Sequence, residues 1–166
     1  MPPITLEAIE AKHNELSLLI AKFKEQPIQT MHHVFPEIDI ELQPGELYAG
    51  PVLGASGHLM HHLVVMAQRP TDDLAWQAAM DWAARIGGVL PTRQELSLIF
   101  ANCKPHLKPE WHWSSEVNES DASYAWLCYF FNGHIIITHK SYEYSAVAVR
   151  RSIPVSPAGA RHHPQH

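Results

Sequence analysis

The chain has 166 residues, enough for one domain with a hydrophobic core and a short appendage, and its 12 basic and 17 acidic residues give a formal charge of −5. A nucleic-acid-binding surface requires clustered lysine and arginine residues, so no nucleic-acid partner is expected. No apolar run approaches the roughly 20 residues of a membrane span, and the N-terminus lacks the layout of a signal peptide, so we expect a soluble protein without membrane insertion or Sec export.

The first predicted element is an amphipathic helix within residues 1–26, with Thr5 as its N-cap and Pro27 as its stop. Its apolar residues follow the spacing of heptad a and d positions, a stripe narrower than the face that a helix docked on its own domain usually buries. We therefore predict a coiled coil that assembles a homo-oligomer, a dimer or a trimer. The alternative is docking on the chain's own domain. The predicted oligomerisation residues are Leu6, Ile9, His13, Leu16, Ile20 and Phe23.

A linker and a small β element are predicted next. Residues 27–44 are punctuated by proline, and the alternation of apolar and acidic residues at 37–42 predicts a short strand. Two antiparallel strands are predicted at 46–53 and 61–67. Proline cannot donate to a strand ladder, so Pro51 confines the first of them to a sheet edge or a bulge.

Two short helices are predicted in the middle of the chain. The first spans 72–86, and the second begins at a capping box formed by Thr92 and Glu95. A Gly-Gly pair at 87–88 separates them. The residues predicted to face the core are Trp76, Ala79, Met80 and Ala83 in the first helix and Leu96, Ile99 and Phe100 in the second.

The remaining elements are strands. Tryptophans at alternate positions, Trp111 and Trp113, predict a strand with both rings on one side. Residues 124–131 predict another, with Trp126, Cys128 and Phe130 on its core side, and Asn132-Gly133 predicts the hairpin to a return strand at 134–138. A last strand is predicted at 145–150, and residues 154–166 have no apolar period and predict a flexible tail.

The predicted elements form an α+β domain over residues 45–153, with both of its helices between two sets of strands. Its motifs resemble those of prophage-encoded domains of unknown function that are related to the C-terminal domain of the Legionella collagen-like adhesin. The resemblance covers roughly residues 45–151. The matching residues are Gly88, Leu90, Pro91, Thr92, Arg93, Glu95, Trp113, Ser114, Ser115, Glu116, Tyr124, Ala125, Trp126, Gly133, Lys140, Ser141, Ala148, Val149, Arg150 and Arg151.

This resemblance implies a C-type-lectin-like fold of two short helices with antiparallel strands, preceded here by the N-terminal coiled-coil helix. It implies no established activity. The calcium-binding triplets of sugar-binding C-type lectins are missing from the sequence, so calcium-dependent sugar binding is not expected. Formylglycine-generating enzymes share the fold, but Cys103 and Cys128 do not match their active-site pair, and we expect both to be buried thiols.

In this fold class the last hairpins and their loops bind ligands, and here they contain many aromatic residues. Exposed aromatic side chains beside Asn, Ser and Asp combine rigid contact area with adaptable hydrogen bonds. The alternatives are packing between subunits and an ordinary core. The predicted ligand-binding residues are Tyr129, Phe131, His134, Ile136, Thr138, Tyr142, Tyr144 and Asn118.

Catalytic and metal chemistry are not predicted. His58, His61 and His62, with His32 and His33 nearby, are the one metal candidate, and no Asp, Glu or Cys stands at ligand spacing in the same element. Ser115 and His112 would point to opposite faces of a strand and are no local pair. We expect no catalytic residue, no metal and no cofactor. Of Arg150 and Arg151, one is predicted to pair with Glu95 or Glu116 and the other to be solvated.

The sequence favours a virion-associated binding protein of a bacteriophage, of tail or tail-fibre type, made in the host bacterial cytoplasm. Its expected partners are copies of itself, other virion proteins and a host-surface glycan or protein, which multivalent display would bind with avidity. Two alternatives are a structural virion component and an intracellular phage accessory protein that binds a host protein.

Overall fold

The computed structural model describes residues 5–25 and 38–153. Contacts divide the chain into two units, Met1–Val34 and Phe35–His166. Most of the predicted linker and the whole predicted tail lie outside the described residues. Within residues 5–25 and 38–153, no helix has the length and apolar character that a membrane span requires.

The first unit is represented by helix α1, Leu6–Lys24, where the sequence predicts a helix. Thr5 is its N-cap, since the Thr5 hydroxyl accepts a hydrogen bond of 3.3 Å from the backbone N–H of Ala8. Lys22 and Lys24 stand in the last turn, where positive charge complements the helix dipole. None of the residues of α1 is buried in the described chain.

The second unit, which we call the body, confirms the predicted α+β class. Its helices are α2 (Trp76–Arg85) and α3 (Arg93–Cys103), followed by a 3₁₀ turn at Lys104–His106. In the described residues its strands form three antiparallel sheets, with the orders β1-β2-β8, β3-β7 and β4-β5-β6. The strands are β1 (Leu47–Leu53), β2 (Leu59–Val65), β3 (Leu74–Ala75), β4 (Trp111–Val117), β5 (Tyr124–Tyr129), β6 (His134–His139), β7 (Glu143–Tyr144) and β8 (Val149–Ser152).

The β1 strand lies at a sheet edge, as Pro51 predicts, and its register with β2 shifts between Tyr48 and Gly50. The strand predicted at 37–42 is wrong over its described part, because residues 38–42 form no strand. An alternating pattern makes a strand only when a neighbouring strand accepts its hydrogen bonds.

The sequence predicts the start of helix α3 accurately and the start of helix α2 less accurately. The predicted capping box is present, with Thr92 Oγ1 accepting from the Glu95 N–H at 3.2 Å and Glu95 Oε2 accepting from the Thr92 N–H at 2.8 Å. Helix α2 begins at Trp76, later than the predicted start at residue 72, because Leu74–Ala75 pairs with β7 instead. Trp82, which was not predicted to face the core, is buried there.

The β5 strand lies between two buried clusters, which corrects the prediction of a single core side. Cys128 and Phe130 pack in the cluster beneath α3 and β2, whereas Ala125 and Leu127 pack in the cluster beneath α2. Trp126, predicted to be core, is only half-buried, and the Arg93 guanidinium lies 4.3 Å from its ring centroid. A strand with helices over both faces has few positions left for solvent.

Candidate functional site

A row of side chains on one face of the β4-β5-β6 sheet forms the candidate recognition site. The rings of Trp111 and Tyr129 stack with centroids 4.7 Å apart, and Phe131 lies 5.9 Å from Tyr129. Phe131 is 63% exposed and Ile136 is 41% exposed, while Trp111 and Tyr129 are half-buried. We call these residues, with the exposed His134, the aromatic surface.

The register of the sheet explains why these residues share a face. Tyr129 pairs with both Trp111 and His134, and residues paired across antiparallel strands project on the same side. The turn between β5 and β6 is tight at Gly133, where φ is +82° and a Cβ atom would stand 2.9 Å from the Phe100 ring. The aromatic surface is therefore fixed by the hairpin and by the packing beneath it.

The structure separates the predicted ligand-binding residues into two groups. Thr138 pairs with Ala125, four residues along β5 from Tyr129, which places it about 13 Å from Tyr129 at the usual rise of a strand and two residues beyond Ile136 on β6. Tyr142 is exposed in the loop that follows β6. Thr138 and Tyr142 therefore lie toward the opposite end of the β5-β6 pair from Tyr129 and Phe131.

Two other predicted residues have structural partners. The side-chain oxygen of Asn118 accepts hydrogen bonds from the N–H groups of Ser120 and Asp121, which shapes its loop. The Tyr144 ring meets Trp113 edge-on at 5.3 Å and packs against the cluster beneath α2. Trp111 belongs to the aromatic surface but is missing from the ligand-binding residues predicted from the sequence. Its position two residues before Trp113 indicates that it shares a strand face with Trp113, and this pattern could have drawn attention to it.

A buried charged cluster joins β2, α3 and β8. Glu95, whose side chain is 1% exposed, accepts hydrogen bonds from His61 Nε2 at 2.8 Å and from Arg151 Nε at 2.7 Å through Oε1. Its Oε2 accepts from Arg151 Nη2 at 2.9 Å as well as from the Thr92 N–H. Both carboxylate oxygens are thus fully used by the fold.

The balance of forces in this cluster favours a charged Glu95. Burial raises the pKa of Glu95, but the hydrogen bond from Arg151, together with those from the Thr92 backbone and His61, outweighs burial and holds the pKa below its usual value. The pairing of Arg151 with Glu95 was one of the predicted options. The prediction that the other arginine is solvated was wrong, because the Arg150 guanidinium donates to the Glu46 carboxylate at 3.0 and 2.7 Å.

An open cavity of about 300 Å³ adjoins this cluster and is lined by His61, Met60 and Arg151 among others. Because the cluster satisfies its own hydrogen bonds, it holds β2 and β8 to α3 and leaves no free carboxylate for acid–base work. Its role in the fold is to anchor the sheet to the helix.

The other histidines of the predicted metal candidate also have separate partners. The His58 ring bonds Ser56 at 2.7 Å, and the His62 ring bonds the Tyr48 hydroxyl at 2.7 Å. Among residues 5–25 and 38–153, no group of three or more His, Cys, Asp or Glu side chains is placed to hold a metal ion. His32 and His33 lie outside this part of the chain.

No protein-family model matches the chain, and no curated protein matches it either. The resemblance to the adhesin-related prophage domains therefore stays a prediction from the sequence motifs.

Proposed function

We propose that this protein is a phage virion-associated binding protein, in which α1 forms a coiled coil between copies and a C-type-lectin-like body recognises a host-surface glycan or protein. The observation that supports recognition is the aromatic surface, where stacked rings stand beside an exposed phenylalanine and an exposed histidine. Such rings supply a large contact area at low conformational cost.

The chemistry of this surface fits a ligand with both apolar and polar groups. The Trp111 and Tyr129 rings are held by stacking and by the strand register, so little rotamer entropy is lost on binding. The Tyr129 hydroxyl and the imidazole of His134 provide polar atoms at the edge of the apolar contact. A sugar ring or a protein loop presents the matching combination.

Helix α1 supports association with further copies. The five apolar residues among the predicted oligomerisation residues are between 47% and 73% exposed in the described chain. A helix of 19 residues is marginally stable alone in water and gains most of its stability from packing its apolar face. Association through α1 would bury that face and display several copies of a weak site, which gives avidity.

Binding to bacteria tests the proposal directly. Labelled full-length protein is incubated with intact host cells and with their purified envelope polysaccharide, and bound protein is measured. The double variant Phe131→Ser and Ile136→Ser is expected to reduce binding at least tenfold, because it removes the most exposed apolar side chains of the aromatic surface. The matched control, Met60→Ser, changes an exposed residue outside the aromatic surface. Equal binding by both variants would contradict the proposal.

The two alternatives predict other results. A structural virion component co-purifies with phage particles, but the isolated protein does not block their adsorption to cells. An intracellular accessory protein does not co-purify with particles. Recovery from particles together with blocked adsorption is expected for the proposed function.

A further inference from the structure

A small cavity of about 110 Å³ lies between the segment after β2 and the segment before β4. At roughly 30 Å³ for each water molecule, it has room for an ion of a few heavy atoms. Three exposed side chains, Arg69, His106 and Lys108, line it together with His112 and Ser145. The Nη1 group of Arg69 donates to the backbone oxygens of Met66 and Gln68, which leaves its other N–H groups for a ligand. No carboxylate side chain is among its lining residues, although Glu110 contacts Lys108 from outside at 3.9 Å.

His112 is the fixed element of this cavity. It is 2% exposed, and its ring stacks on Phe130 with centroids 4.3 Å apart. Its Nδ1 lies 2.9 Å from the backbone oxygen of Glu110. A carbonyl oxygen only accepts, so Nδ1 holds the proton and Nε2 presents a lone pair. Within the described residues, Nε2 has no hydrogen-bond partner.

The ring of His112 is neutral at pH 7. Burial lowers the pKa of His112 to about 4, the Arg69 and Lys108 charges lower it further, and the bond to Glu110 opposes them. The neutral Nε2 can therefore accept a hydrogen bond from a group in the cavity, and the exposed cations of Arg69 and Lys108 can attract an anion to it. An anion that still bears a proton can interact with the lone pair of Nε2 and with both cations at once.

We propose that this cavity binds a protonated oxyanion of the phosphate class, with Arg69 and Lys108 contacting its charged oxygens and His112 Nε2 accepting its hydroxyl proton. Ser145 supplies a further hydroxyl, because its backbone N–H and oxygen are already bonded to Trp111 and Trp113 while its side chain remains available at the cavity. Sulfate has the same shape but no proton at pH 7, so it would leave the lone pair of Nε2 unpaired. Discrimination between the two ions is the distinctive feature of this site.

The experiment uses full-length protein labelled with ¹⁵N-histidine, titrated at pH 7 with inorganic phosphate and separately with sulfate at equal ionic strength. We expect phosphate to shift the Nε2 resonance of His112, which is assigned with the variant His112→Asn, and to bind about tenfold more tightly than sulfate. Equal affinity for the two ions, or no shift at His112, would overturn the proposal.

Charge variants separate a built site from general attraction to positive charge. Lys108→Gln is expected to weaken phosphate binding several-fold, whereas Lys12→Gln on α1, which removes the same charge outside the cavity, leaves it unchanged. Lys108 is exposed, so its variant is expected to fold. Equal weakening by both variants would also overturn the proposal.

A second arm identifies the source of the anion. Phosphoserine and glucose 6-phosphate replace inorganic phosphate in the same titration. Binding of either at comparable affinity means that the site accepts the phosphate group of a larger molecule. Binding of inorganic phosphate alone means that it holds the free ion.

Discussion

Helix α1 and the body place their apolar side chains in opposite ways. In the body, leucines such as Leu63 and Leu96 are fully buried in clusters that the body itself provides. In α1, Leu6 is 71% exposed and Phe23 is 73% exposed. The body buries its own apolar residues, whereas the apolar stripe of α1 would be buried only by the association that we propose. Each leucine or isoleucine fully buried in this way would contribute about 1.5–3 kcal/mol.

The largest effect is expected where the body concentrates its buried charge. Glu95→Ala removes the partner of Arg151 and His61 and half of the capping box, so we expect the free energy of unfolding to fall by about 4 kcal/mol in urea titrations. Glu119→Ala breaks only an exposed contact with Arg93 and is expected to leave the unfolding curve unchanged. Equal curves for the two variants would show that the buried cluster contributes no stability.

Acid is expected to weaken the body through His112. Its pKa of about 4 in the folded chain lies below the value of about 6.5 for an unfolded chain, so the unfolded state binds more protons between these values. The free energy of unfolding should therefore fall by about 3 kcal/mol as the pH decreases from 7 to 4. His112→Asn should flatten this dependence, whereas His134→Asn, at an exposed position, should retain it.

Glu95 adds to acid sensitivity at lower pH. Because its pKa is held below the usual value in the folded chain, its stabilising effect is complete above the unfolded value of about 4.3 and disappears as the pH falls through the folded value. A second decrease in stability should therefore begin below pH 4. Its absence in wild-type protein would contradict the pairing of Glu95 with Arg151.

The two helix caps offer a smaller and more direct contrast. Thr92→Ala should lower the free energy of unfolding of the body by about 1 kcal/mol, because the N–H of Glu95 loses its acceptor. Thr5→Ala removes the corresponding cap of α1 and should leave the body unchanged while weakening association. All five tryptophans lie in the body, so their fluorescence measures its unfolding alone. A loss of body stability in Thr5→Ala would contradict the expectation that the α1 cap does not stabilise the body.

Features that depend on neighbours in sequence were predicted well. The Thr92–Glu95 spacing predicts the capping box, and the heptad spacing predicts α1, because caps and helical faces are set within one or two turns. The strand at 37–42 failed for the opposite reason, since a strand requires a partner that the pattern does not specify. The pairing of His61 with Glu95 spans 34 positions and has no local signal.

In the candidate site, too, local features were easier to predict than features that depend on distant neighbours. Tyr129, Phe131, His134 and Ile136 share one face because one hairpin controls their register, and their role in binding stays a prediction. Thr138 was grouped with them, since alternation predicts a face but not a position along the sheet. The two buried faces of β5 had a signal in its nearly continuous apolar run, which is typical of a strand covered on both sides.

The smallest change in the stability of the body is expected from substitutions in helix α1. Ile20→Asn adds a second polar layer, beside that of His13, to a predicted seam of only three heptads. It should weaken association in light-scattering measurements, since a polar residue at such a position costs stability. Tryptophan fluorescence should report body stability within about 0.5 kcal/mol of wild type. The matched control is Leu18→Asn, because Leu18 is 65% exposed on the same helix but outside the seam, and it should remain oligomeric. Loss of association in both variants would mean that the helix associates without a defined seam, and a loss of body stability in Ile20→Asn alone would mean that α1 packs on its own body.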